Sequence, residues 1–176
     1  MCGIIAIVQR PTQRTPPDAK DLLAKLDEAR AVLEHDAADL ASSVHRAAVA
    51  VEMVDRLLRG TAGVRALVQS GSLASLVGAG VGAVDELAQQ HEGRVDRDEV
   101  HLSSTDLETF NAALIRLKDG MWAVRNDRLR TAREVKALAG DHPTDATIDA
   151  CTAIQLSLSA IDRLEVRGRD SAGLHL

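Results

Sequence analysis

Aromatic residues are nearly absent from this chain: one Phe, one Trp and no Tyr in 176 residues. That excludes a core built on stacked rings and removes the aromatic platforms that single-stranded nucleic acids stack on. The formal net charge of −5 also disfavours a nucleic-acid partner. With two cysteines there is no disulfide framework. The apolar N-terminus lacks a basic segment and a long apolar run, so it does not read as a signal peptide. The longest weakly polar stretch, Ser70 to Val84, is shorter than the ~17–25 residues of a membrane helix. These absences point to a cytoplasmic protein that uses neither membrane nor nucleic acid, in a reducing setting where a free thiol persists.

What remains is rich in Ala, Leu and Val, and Ala and Leu favour helix. Leu22, Leu26, Ala29 and Leu33 share one helical face from about Asp18. Leu40, Val44, Ala47, Val51, Val54 and Leu58 form a heptad-like stripe, with Gly60 as its stop. A short segment covers Val64 to Gln69. Leu73, Leu76, Val77, Val84 and Leu87 predict a further helix ending before Gly93. Thr105 and Glu108 fit a capping box, with Ser104 just before. Behind them Leu107, Phe110, Leu114, Leu117, Met121 and Val124 predict a long helix that continues to Leu138, stopped by Gly140. Pro143 opens a last helix carrying Ile154, Leu158, Ile161 and Leu164. Two apolar segments, Cys2–Val8 and Ser171–Leu176, read as strands, and the prolines at 11, 16 and 17 mark a loop. The expectation is a mostly α chain with a bundle of four or five helices, packed within one chain or between copies.

Two features invite functional readings that the residues weaken. Gly78, Gly80 and Gly82 lack a preceding strand, so close helix packing is favoured over phosphate binding. Arg125, Arg128, Arg130, Arg133 and Lys136 are interleaved with Asp127 and Glu134, the pattern of a solvated helix face. The six histidines show no metal-ligand spacing with either cysteine, and no cofactor motif is present.

Two other features carry chemistry. Met1-Cys2-Gly3 places a thiol where removal of Met1 would leave it beside a free α-amine. An α-amine titrates near ~8 and can act as the base that activates the nucleophile. Taken alone, Met-Cys-Gly reads more readily as the start of a strand with a small buried Cys. The other feature is Arg163-Leu164-Glu165-Val166-Arg167-Gly168-Arg169-Asp170-Ser171-Ala172-Gly173. It resembles the Arg-Leu-Glu-Tyr-Arg-Gly-Tyr-Asp-Ser-Ala-Gly signature of the glutamine–fructose-6-phosphate aminotransferase family. Those proteins carry a class II, N-terminal-nucleophile glutaminase domain. The opening Cys-Gly-Ile strand resembles the first residues of the same family, and the two blocks keep the family's order.

The resemblance implies an incomplete Ntn-type α/β glutaminase domain. Residues 1–10 would form its first strand, 143–176 its first helix and second strand, and 11–142 a helical insertion. It implies that Cys2 attacks the glutamine carboxamide, forming a thioester and releasing ammonia for a sugar phosphate such as fructose-6-phosphate. It assigns Arg167 to ordering the active site, and Gly168, Asp170 and Ser171 to the turn into the second strand. Val166 and Arg169 stand where the family usually has Tyr, and Ala6 where Gly is common. The family's Asn-Gly oxyanion pair and its Arg-Trp-Ala-Thr-His-Gly segment do not occur in these residues. The expectation is therefore a truncated domain, inactive by itself. The competing expectation is a helical interaction or oligomerisation module with a non-catalytic amidotransferase remnant.

Overall fold

The computed structural model describes Ile7, residues 12–35 and residues 39–165, with the side chains of 163–165 left aside. Both expected strands fall outside the described residues, apart from Ile7. Within them the protein is mostly helical. The helices are α1 (Ala19–Glu34), α2 (Leu40–Leu57), α3 (Gly60–Gln69), α4 (Leu73–Asp96), α5 (Ser104–Trp122), α6 (Arg130–Ala139) and α7 (Asp145–Glu165). A π-helical segment, Ala123–Leu129, joins α5 to α6 without a break. Among the described residues, five continuous rods therefore precede α7.

Helices α1, α2, α5 and α7 start where a short polar side chain holds a free backbone amide. Asp18 Oδ1 accepts from Lys20 N at 2.8 Å, and Asp39 Oδ1 accepts from Ser42 N at 2.9 Å. Thr144 Oγ1, one residue after Pro143, accepts from Thr147 N at 3.2 Å. The cap of α5 differs from expectation. Ser103, not Thr105, is its N-cap: Oγ accepts from Asp106 N at 3.2 Å and donates to Asp106 Oδ2 at 2.6 Å. Ser103 and Asp106 repeat the capping spacing two residues upstream, and Ser outranks Thr at this position. Ser103→Ala is expected to lower stability by about 1 kcal/mol, whereas Thr105→Ala should change it by less than about half that. Urea melts of the two variants check the assignment, and equal losses would contradict it.

The stripes of α1 and α2 are buried residue by residue as expected, from Leu22 to Leu33 and from Leu40 to Leu58. On α5, Phe110, Leu114, Leu117 and Met121 are buried, and Val124 continues the stripe into the π segment. Leu107 is 38% exposed, at the edge of that face. Helix α2 packs mainly on α5 and α1, and α1 also packs on α4, giving a four-helix core. Lacking rings to fill space, these helices approach closely. A Cβ on Gly80 would stand 2.8 Å from Leu26 Cδ1, and one on Gly120 would stand 3.1 Å from Val51 Cγ1. The glycine run of α4 is thus a packing feature at Gly80.

Helices α3, α6 and α7 form a smaller group beside this core, and the π segment sits where the rod passes from one group to the other. Three expectations change here. Helix α4 passes through Gly93 and ends at Asp96, with the left-handed turn taken by Asp98 at φ 57°. Aspartate tolerates that conformation, so no glycine is needed. Gly60, at φ 72°, both ends α2 and opens α3. On α7 the buried face is Ile148, Cys151, Thr152 and Gln155, while Ile154 and Ile161 are half-buried and Leu158 is 42% exposed. Ion pairs and hydrogen bonds to α3 and α6 set that rotation, leaving the more apolar stripe only partly covered by the bundle.

Candidate functional site

None of the residues assigned to glutamine cleavage can be placed: Cys2, Arg167, Gly168, Asp170 and Ser171 all lie outside the described residues. The structure does locate their chain neighbours. Helix α7 ends at Glu165, inside the signature and two residues before Arg167. Ile7 borders the same cavity as Thr152 and Leu156 of α7. Ile7 and the middle of α7 therefore come to one place, although most of the sequence separates them.

That place is the junction between the two helix groups. Local chemistry builds it from three directions. Helix α2 ends there with carbonyls that its own helix cannot satisfy. Arg14 fills that need, donating from Nη1 to Arg59 O at 3.0 Å and from Nη2 to Leu57 O at 3.1 Å. A cation is also favourable at the negative end of the helix dipole. Arg14 thus ties the segment after Ile7 to the end of α2.

Helix α7 is tied down from the other side. Arg65 of α3 donates from Nε and Nη2 to Asp149 at 2.9 and 2.6 Å, and from Nη1 to Asp145 at 2.9 Å. The hydrogen bond to Asp149 is the main reason that the Arg65 pKa is raised above its ordinary value. Gln69 donates to the other Asp145 oxygen at 2.6 Å. Gln155, further along α7, donates to Glu134 of α6 at 2.6 Å.

The π segment closes the junction. Arg128 Nε donates at 2.9 Å to Asp55 of α2, whose side chain is only 6% exposed. Asp55 also accepts from Arg59 at 2.6 and 3.0 Å. Arg125 pairs with Asp85 of α4 at 2.7 Å. The basic cluster is therefore split: Arg125 and Arg128 are structural clamps, while Arg133 and Lys136 face solvent. A signal for this was present, because Asp55 falls beside Val54 on the buried side of α2 and needs a cation there. A π turn inside a long helix often marks a functional position, and here it brings Asp127, Arg128 and Thr131 to the rim of one cavity.

The cavity has a volume of about 210 Å³ and an apolar floor that includes Leu58, Val64 and Leu156. Cys151, the described cysteine, is buried in the core. Among the described residues no group of three or more His, Cys, Asp and Glu could hold a metal ion. No single helix among them is long and apolar enough to cross a membrane. No family model, curated protein or solved structure matches the chain.

Proposed function

We propose that this chain is the amino-terminal part of a glutamine-dependent amidotransferase, working in the cytoplasm, with Cys2 as its nucleophile. The observation that carries the reading is the pair of sequence blocks, Cys2-Gly3-Ile4 and Arg163 to Gly173, in the order of the family they resemble. Two structural facts support it. Ile7 borders the same cavity as Thr152 and Leu156 of α7, in keeping with a first strand near a first helix. The Ile154, Leu158 and Ile161 stripe of α7 is only partly covered by the bundle, leaving surface that a helix packed on a sheet would bury. In this reading the bundle is an insertion into an Ntn-type α/β domain.

The chemistry follows from Cys2 at a free N-terminus. Its α-amine takes the thiol proton, and the thiolate attacks the glutamine carboxamide carbon. The tetrahedral intermediate collapses to a γ-glutamyl thioester as ammonia leaves with a proton. Water then cleaves the thioester to glutamate. The ammonia aminates an acceptor, with a sugar phosphate such as fructose-6-phosphate as the proposed class. Arg167, Gly168, Asp170 and Ser171 order the active site. Charge on the intermediate needs an oxyanion donor, worth about 10²–10³ in rate, and no Asn-Gly pair occurs in these 176 residues.

The expected result is therefore asymmetric. The 176-residue chain alone should release no glutamate from glutamine above the Cys2→Ala blank. A chain extended through an Asn-Gly-bearing segment should release it, and Cys2→Ala should abolish that release while leaving the helical signal intact. Mass spectrometry of the active chain should find Met1 removed. Full activity in Cys2→Ala, or in a chain that retains Met1, would overturn the reading.

One observation favours a second reading, a helical oligomerisation module. Ile115 and Trp122, seven residues apart on one face of α5, are 61% and 58% exposed. Sedimentation of the wild type and of Ile115→Lys separates the readings. A stable oligomer lost in the variant, with no glutamine chemistry in the extended chain, would favour the module.

A further inference from the structure

Helix α5 carries an outward face that the bundle leaves in water. Trp122, the chain's single Trp, is 58% exposed, and Ile115, seven residues earlier, is 61% exposed. The other aromatic residue, Phe110, is buried. Apolar residues scattered singly on a surface need no explanation. Here a protein poor in rings keeps its largest side chain outside, in line with a second large apolar residue at heptad spacing. Trp is also among the residue types that most often anchor a protein interface.

The charges along the rod indicate what covers this face. Glu108, seven residues before Ile115, is exposed. Beyond Trp122 the rod runs on through the π segment: Asn126 Nδ2 donates to Trp122 O at 3.1 Å, and Arg130 Nε donates to Asn126 O at 3.0 Å. Arg130 therefore follows Trp122 along one side of the rod. Its side chain is 43% exposed, and its ion pair with Glu134 is long, at 3.9 Å. The face is thus acidic at one end, apolar in the middle and basic at the other. A second copy running antiparallel complements it. About a two-fold axis midway between Ile115 and Trp122, Ile115 of each copy meets Trp122 of the other, and Glu108 meets Arg130. The same register sets Asn111 opposite Asn126, two amides able to exchange hydrogen bonds. The symmetry makes each of these contacts twice. A parallel copy would set Glu108 against Glu108 and Arg130 against Arg130.

We infer that the chain forms an antiparallel two-fold dimer through this face of α5 and the π segment. The dimer rests on the same exposed residues as the oligomerisation reading, adds the partner and its register, and does not depend on Cys2. Sedimentation equilibrium and Trp122 emission of the 176-residue chain test it. The wild type should sediment as a dimer, with Trp122 emission to the blue of that from Ile115→Lys. Ile115→Lys should be a monomer with an unchanged helical signal. Glu108→Arg and Arg130→Glu should each weaken the dimer at least about fivefold, because two facing pairs become like-charged. The double variant should regain most of the affinity. Cys2→Ala should dimerise as the wild type does, which keeps a failure here distinguishable from a failure of the amidotransferase reading. A monomer at every concentration up to about 100 μM would overturn the dimer and leave the face to a different partner. A dimer whose Trp122 emission matches that of Ile115→Lys would overturn the assigned face. A dimer indifferent to both charge reversals would overturn the antiparallel register while the oligomerisation reading stood.

Discussion

Gly63→Ala is expected to destabilise the protein by about 2–4 kcal/mol, despite placing the best helix former in a helix. Gly63 lies in the first turns of α3, and a Cβ there would fall on the carbonyl oxygen, carbon and Cα of Leu58. Those are backbone atoms at the end of α2, so no rotamer change relieves the overlap. The α2–α3 junction must open, and Leu58 is 1% exposed in the core. Opening it also disturbs the carbonyls that Arg14 caps. The matched control is Gly82→Ala on α4, where a Cβ meets nothing within 4 Å. That substitution should stabilise by up to about 1 kcal/mol through helix propensity alone. Denaturant melts of the two variants therefore move in opposite directions. If Gly63→Ala proved as benign as Gly82→Ala, the tight α2–α3 corner would be wrong.

Asp55→Ala should cost about 2–3 kcal/mol. Breaking a buried ion pair typically costs ~3–5 kcal/mol because the partner is left charged and uncompensated. The lower figure applies here because the Arg128 side chain is 22% exposed and Arg59 is 61% exposed, so water recovers part of the loss. Asp55→Asn keeps the shape and one acceptor, and its loss should be smaller. The double variant Asp55→Leu, Arg128→Met should recover most of the stability, since an apolar pair leaves only Arg59 without its partner, and water solvates that exposed side chain. A double-mutant cycle measures the coupling. Additive losses would mean that the Asp55–Arg128 contact does not hold the π segment to α2.

Legibility in the sequence followed the width of each apolar face. Helices α1, α2 and α5 could be read side chain by side chain because each has one dominant stripe and packs inside the four-helix core. Helix α7 could not. It carries apolar residues on two faces, and the one chosen from spacing, Ile154, Leu158 and Ile161, is not the one the bundle buries. Asp149, Gln155 and their partners Arg65 and Glu134 select the other face. Those partners come from α3 and α6, and no local pattern announces a pairing across such a distance in the chain. The proposed catalytic residues were legible as motifs, but Asp127 and Thr131 were not, because a lone Asp or Thr on a charged helix has no signature of its own.

By itself the sequence determined a helical protein: where its rods lie, the inner faces of α1, α2 and α5, and the left-handed glycine that stops α6. Propensity, capping and a 3.6-residue period act within a few residues, so composition and spacing suffice for them. Only the tertiary structure decided which face of α7 is buried, that Arg125 and Arg128 turn inward, and that α5 widens into a π turn before α6. The same holds for the meeting of Ile7 with α7 at a cavity. These depend on charges and volumes contributed by helices distant in sequence, where desolvation of Asp55 and close packing outweigh any local preference.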